Sequence, residues 1–178
     1  MTPASSTPSS PRTAVQEVLV DAFGRIREVF SDVCDGLSAE DAAHRPTPDA
    51  NSIAWTLWHL TRIQDDHVCG ITGDEQVWMA DGWYDRFGLP FAPEEHGYGH
   101  SAEQVAAVQV ETALLDDYHA AVHDRTIAYV ATVDEDDLAR VVDEAWDPPV
   151  TASVRLVSVI GDCMQHLGQA AYVRGMLD

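Results

Sequence analysis

Residues 159–169 read VIGDCMQHLGQ, and how that run is read decides the fold. Val159, Ile160, Cys163, Met164 and Leu167 have the spacing of a packed helix, yet Asp162 and His166 stand among them. Four residues apart on a helix, they project from one face, one turn from each other. A carboxylate in such company is costly to bury unless something compensates its charge. With Val154 and Val157 added, apolar positions cover most of the circumference, which predicts a central helix.

Working outward, Pro148 and Pro149 punctuate the chain before Thr151, a good N-cap, so this helix is expected from there to about Leu177. Three more long helices are predicted. The first covers about 13–36, with Val15, Val18, Ala22, Ile26 and Phe30 at helical spacing and Gly36 at its end. The second runs from Ser52 to about Ile71, before Gly73, and carries the stripe Ile53, Leu57, Leu60, Ile63. The third opens on the capping box Ser101-Ala102-Glu103-Gln104 and continues towards Val133, with a short helical piece near 135–142. No alternating strand pattern stands out. The expected fold is all-α, a four-helix bundle with a long crossover connection, 73–100, between helices 2 and 3. That connection holds Trp78, Trp83, Tyr84, Phe87 and Phe91, and connections of such length are usually functional. Residues 13–178 read as one domain and residues 1–12, MTPASSTPSSPR, as a disordered tail.

Composition excludes several function classes. A formal charge of −20, spread along the chain, opposes nucleic acid and anionic membranes. Without an apolar run of membrane-spanning length or a signal core, a cytoplasmic protein is expected. All ten basic residues are arginine, which removes Schiff-base and P-loop lysine chemistry. Three scattered cysteines, 34, 69 and 163, argue against a disulfide scaffold or an all-cysteine metal site.

Asp162 and His166 are two metal ligands in search of a third. His59, in SIAWTLWHLTRIQDDH, follows Trp55 by one turn and precedes Leu60 and Ile63, so it is expected to face inward. Two imidazoles and a carboxylate suit zinc, with nickel or iron also acceptable, and leave one coordination position open. Three readings compete, the first being that His59 is a hydrogen-bonded core histidine beside its tryptophans. Asp162 pairs instead with Arg25, Arg27, Arg62 or Arg155, or the ion sits at His119 and His123, also four apart, one turn after Asp116. Asp117, Asp124 and Arg125 crowd that second pair, which suggests a solvated face, and His96 and His100 look like polar groups of a loop.

NSIAWTLWHLTRIQDDHV (51–68) and DCMQHLGQAAYVRGML (162–177) resemble the two signature helices of the DinB/YfiT-like superfamily. The resemblance implies a four-helix bundle with metal ligands His59, Asp162 and His166. Asp162 stands where many relatives carry histidine, although mycothiol-dependent maleylpyruvate isomerases have a carboxylate there; Leu167 replaces the usual arginine. Thiol-dependent enzymes of this superfamily imply a zinc-dependent S-transferase, with mycothiol or a related small thiol as co-substrate and an electrophile as acceptor. The lysine-free composition favours the actinobacterial branch. On that reading Trp55, Asp66, Trp78 and Trp83 are expected at the substrate. The same ligands would also serve a small hydrolase, or a non-catalytic stress or interaction protein that keeps its ion for stability. A homodimer is a fair expectation for a small bundle.

Overall fold

The computed structural model describes residues 11–177; most of the expected tail lies outside them. Thr13 opens α1 (Ala14–Cys34) with a capping box to Gln16. A one-turn helix α2 (Ala39–Ala42) follows, and then Ser52 caps α3 (Ile53–Thr72) by accepting from the Trp55 N–H. Gly73, at φ 80°, ends α3 and returns its N–H to the Cys69 carbonyl. The connection expected at 73–100 contains α4 (Val77–Ala80) and α5 (Trp83–Phe87).

The third predicted helix is two helices, α6 (Ala102–Ala107), with the Ser101–Gln104 capping box, and α7 (Thr112–Val130). Val108 breaks the run, with its side chain buried and ψ at 86°. After α8 (Glu135–Ala139) comes a ribbon the sequence does not announce, β1 (Val141–Asp143) antiparallel to β2 (Val150–Thr151). Strands of three and two residues are too short for alternation to register. Thr151 then caps α9 (Ala152–Arg174).

The all-α expectation holds, with nine helices and one small ribbon among the described residues. The four long helices pack in pairs, α3 on α9 and α7, and α1 on α7 and α9. No described helix is long and apolar enough to cross a membrane.

The central helix is α3, not α9. Residues 52–62 are buried without interruption, whereas Val154, Val157 and Met164 on α9 are 54%, 67% and 44% exposed. The difference comes from the connection, which folds over the side of α3 that would otherwise meet water. A buried pair on α3 ties it down. The Asp65 carboxylate accepts from the N–H groups of Val77 (2.9 Å) and Trp78 (2.8 Å) and from the Tyr118 hydroxyl (2.9 Å). Arg62, fully buried, donates to the Gln76 side chain (2.6 Å) and the Pro93 carbonyl (3.1 Å) and lies over the Trp78 ring. Buried charges are tolerated when every donor and acceptor is answered in this way.

Candidate metal centre

Helices α3 and α9 run past each other in a register marked by Cys163, whose Sγ lies 3.9 Å from the Leu60 carbonyl and 3.8 Å from Gln64 Oε1. That register brings His59 to the face carrying Asp162 and His166. One ligand atom from each of the three lies within 4.8 Å of the others. The His59 and His166 rings meet edge to face at 4.9 Å, and His166 Nε2 stands 3.6 Å from Asp162 Oδ1.

Each imidazole has its other nitrogen occupied. His59 Nδ1–H donates to the His96 carbonyl, and His166 Nδ1–H donates to Gln169 Oε1 at 3.1 Å. Both rings therefore present Nε2 to the shared space. Asp162 Oδ2 is buried and has no hydrogen-bond partner among the described residues. The four arginines that might have compensated it are engaged elsewhere: Arg25 with Asp21, Arg27 with Asp116, Arg155 with Asp143, and Arg62 at the connection. What remains is a carboxylate with one buried, unanswered oxygen, grouped with two imidazoles whose ligand atoms lie within 4.8 Å, a donor set that fits a divalent cation.

Charge tuning within the trio is mutual. Burial pushes the His59 pKa down, outweighing the help of the His96 carbonyl. Burial also works to raise the Asp162 pKa, but His166, His59 and His67 together hold it below the ordinary carboxylate value. The hydrogen bond to Asp162 lifts His166 above the ordinary imidazole value.

The connection supports the site in a way the sequence reading missed. Residues 93–100 form a strap across the start of α3. Gly97, at φ 100°, comes so close that a Cβ there would lie 2.8 Å from His59 Nδ1, 3.0 Å from Trp55 and 3.1 Å from Trp58. Only glycine allows both that backbone angle and that approach. His100, expected as a loop polar group, has its side chain only 3% exposed. It accepts from Trp55 Nε1–H (3.2 Å), donates to Glu95 Oε2 (3.2 Å) and packs on Trp58 and Phe91. The two glycines of HGYGH were the available signal, since paired glycines among histidines and aromatics mark close backbone approach.

The expected substrate residues separate. Trp55 stacks on His59 at 4.8 Å. Asp66 accepts from Gln76 Nε2 (2.7 Å) and lies 3.3 Å from His67 Nδ1. Trp78 and Trp83 are buried around Tyr118 in the core. Among the described residues, no third ligand joins the rival pair. Asp116 is held by both Arg27 nitrogens (2.7 and 3.0 Å), and the face expected to be solvated buries His119 completely, stacked on Phe30 at 4.0 Å. The cysteines are buried thiols, with Cys34 and Cys69 pushed up to about 12 by desolvation first, so none is a ready nucleophile.

Comparison with known proteins bears on this arrangement. The family model described as mycothiol-S-transferase matches residues 18–178. Among solved structures, one described as a conserved protein of locus from Enterococcus faecalis is 33% identical, with a TM-score of 0.85. The alignment covers 91% of this chain and 96% of that one. No curated protein matches.

Proposed function

Because this chain belongs to the mycothiol-S-transferase family, we propose that it is a metal-dependent thiol S-transferase acting on mycothiol or a related small thiol. On this reading residues 13–178 are one domain, its four long helices the bundle of that family. His59, Asp162 and His166 hold the ion, most suitably zinc. The observation that carries the proposal is the partnerless Asp162 Oδ2 beside two imidazoles whose Nδ1 protons are both committed elsewhere. A divalent cation there would supply Lewis acidity, making a thiol at its open position ionise near neutral pH.

The chain's own residues do the rest. The His96 carbonyl and Gln169 fix the tautomers, as outer-shell partners of metal-binding histidines do. Trp55 and the strap shield one side of His59 from water, which strengthens every charge interaction inside. Asp162 and His166 remain part-exposed, at 36% and 18% of their side chains, so a small thiol has access. The transfer forms one S–C bond, with loss of the thiol proton and of the leaving group on the electrophile.

The test is to assay mycothiol conjugation of chlorodinitrobenzene by the zinc-loaded protein and by His59→Ala, Asp162→Ala and His166→Ala. Zinc-dependent turnover lost in all three supports the proposal. Zinc bound without thiol turnover would point to the non-catalytic reading, and ester or amide cleavage without thiol to a hydrolase.

A further inference from the structure

The outer face of α9 is apolar and open to solvent. Val154, Val157 and Met164 are exposed there, and so are Gly168, Ala171 and Tyr172. In a chain that is 22% charged, this face carries no formal charge. Before Arg174, the charged side chains of α9 are Arg155, paired with Asp143, and Asp162, at the candidate metal centre. Both project roughly a third of a turn or more from the centre of that face. Arg174 is spent on the carbonyls of Asp32, Val33 and Asp35. Beside Val157 the apolar surface continues onto α1, where Val15 and Val18 are 48% and 68% exposed. Between the two helices lies an apolar recess of about 350 Å³, lined by residues of both, among them Val15, Val18 and Leu156.

The stripe along α9 has a register. Val154, Val157, Gly161, Met164, Gly168 and Ala171 follow one another at alternating steps of three and four residues, the period of a helix-packing seam. Two of them are glycines inside a helix, where glycine is worse than alanine. A Cβ at Gly161 or Gly168 would meet nothing within 4 Å, so packing within the chain requires neither. Their small size has a use when another helix lies across the face. Set antiparallel against itself, the stripe is self-complementary. Val154 then faces Ala171 of the second copy, Val157 faces Gly168 and Gly161 faces Met164, so each larger side chain meets a smaller one. Parallel pairing would set Met164 on Met164 and glycine on glycine, crowding one level and leaving gaps at two others.

Charge selects the occupant. At −20, the chain draws a basic partner to its acidic surfaces rather than to a face without charge. A second copy carries the same −20 and is repelled where acidic surfaces meet, so an uncharged face is where two copies can touch. A helix of this length runs about 34 Å and is 10–12 Å across. Val15 and Val18 widen the strip at one end, so about 500 Å² per copy is available. That is the low end for a specific pair and marks a weak dimer. We infer that this chain forms an antiparallel two-fold dimer through the outer face of α9 and the start of α1. The metal centre, on the flank of α9 turned to α3, stays outside the contact, and the dimer does not depend on the thiol-transfer reading.

Sedimentation equilibrium of the whole protein tests this. Between about 10 and 500 μM the mass is expected to rise from one chain, 19.5 kDa, towards two. Association is expected to tighten several-fold from about 50 to 500 mM salt, because screening relieves the repulsion between two acidic chains. Val157→Asp places a carboxylate in the seam at a position 67% exposed, so the fold, read by circular dichroism, stays as in the wild type. Its dissociation constant is expected to rise at least about tenfold. A wild type that remains one chain in high salt overturns the inference and leaves the face to another occupant. Dimers untouched by Val157→Asp, or weakened by salt, overturn it too. Cross-linking reads the geometry. The antiparallel pairing centres between residues 162 and 163, which sets the two copies of Gln165 about 8 Å apart along the axis and those of Val157 about 16 Å. The native cysteines are buried, so a short bismaleimide reports on introduced thiols. Gln165→Cys is expected to join to itself and Val157→Cys is not; equal joining, or the reverse, overturns the antiparallel arrangement.

Discussion

Two helices in this protein offer the same pattern four residues apart, and the structure treats them in opposite ways. On α9, Asp162 and His166 meet a neutral imidazole from α3, and one carboxylate oxygen is left without a partner. On α7, Asp116 and His119 meet Arg27 from α1 instead, with His123 one turn on. There the cation is already supplied by the chain. The guanidinium takes Asp116 in a bidentate pair and stands 3.4 Å from His119 Nδ1, so a metal ion would meet a fixed positive charge. Each helix has a pair of candidate ligands four residues apart; the neighbouring helix decides whether the nearby carboxylate is left with an unanswered oxygen or closed into an ion pair. Spacing proposes a site, and the charge carried by the opposite helix disposes of it.

The largest effect that tests this contrast is ligand removal. His59→Ala, Asp162→Ala and His166→Ala are each expected to weaken zinc binding about a hundredfold or more, beyond the usual cost of losing an outer-shell partner. His119→Ala should keep one zinc per chain, as measured by metal analysis after dialysis. Zinc lost from His119→Ala but kept in Asp162→Ala would reverse the assignment of the two regions.

Gly97→Ala comes next. It touches no ligand atom of the set facing the ion, yet its Cβ would press on His59 Nδ1 and Trp55. Displacing the strap removes the carbonyl that orients His59, and competition with a chromophoric chelator should show zinc affinity about 10- to 100-fold lower. Unchanged affinity would mean that His59 is positioned by α3 alone.

Metal should also stabilise the fold by mass action. Free zinc at about 100 times its dissociation constant adds about 2.7 kcal/mol, or a Tm rise of roughly 5–10 °C for a chain of this size. The rise should vanish in His166→Ala and on chelation, and persist in His119→Ala.

The smallest effect is on the other side of the comparison. Burial, then Arg27, holds His119 well below the ordinary imidazole value of 6.5. Below that pH the unfolded chain takes up a proton that the folded chain refuses. The stability this group contributes is therefore complete above pH 6.5 and falls as pH drops towards the folded-state value. His119→Phe keeps an aromatic ring against Phe30 and removes the proton. Its urea midpoint should fall less between pH 7.5 and 5.5 than the wild type's, with equal zinc content; an equal or steeper fall would show that His119 is not shielded.

Much of this molecule is legible without coordinates. Thr13, Ser52, Ser101 and Thr151 each cap the helix that their positions announce, because a side-chain oxygen that answers an orphan N–H is a local effect. The pairing of Asp162 with His166 follows from helix geometry, and His59 as a third ligand follows from its inward-facing place on the second helix together with the resemblance to a known family. The break at Val108 was invisible. No glycine or proline marks it, and it coincides with the burial of Val108 and the partial burial of Val110 against the core. The strap and the Arg62–Asp65 anchor were equally hidden, since each joins residues whose relation depends on how the 73–100 connection folds back.

The sequence by itself determined the helical class, the helix starts and the presence of two pairs four residues apart, Asp162–His166 and His119–His123, that could bind an ion. Those are short-range matters, set by caps, by the 3.6-residue period and by which side chains can ligate at all. Only the tertiary structure decided which pair keeps an unanswered carboxylate, because the energy of a buried charge depends on what the facing helix brings within a few ångströms of it, and no local pattern encodes that neighbour.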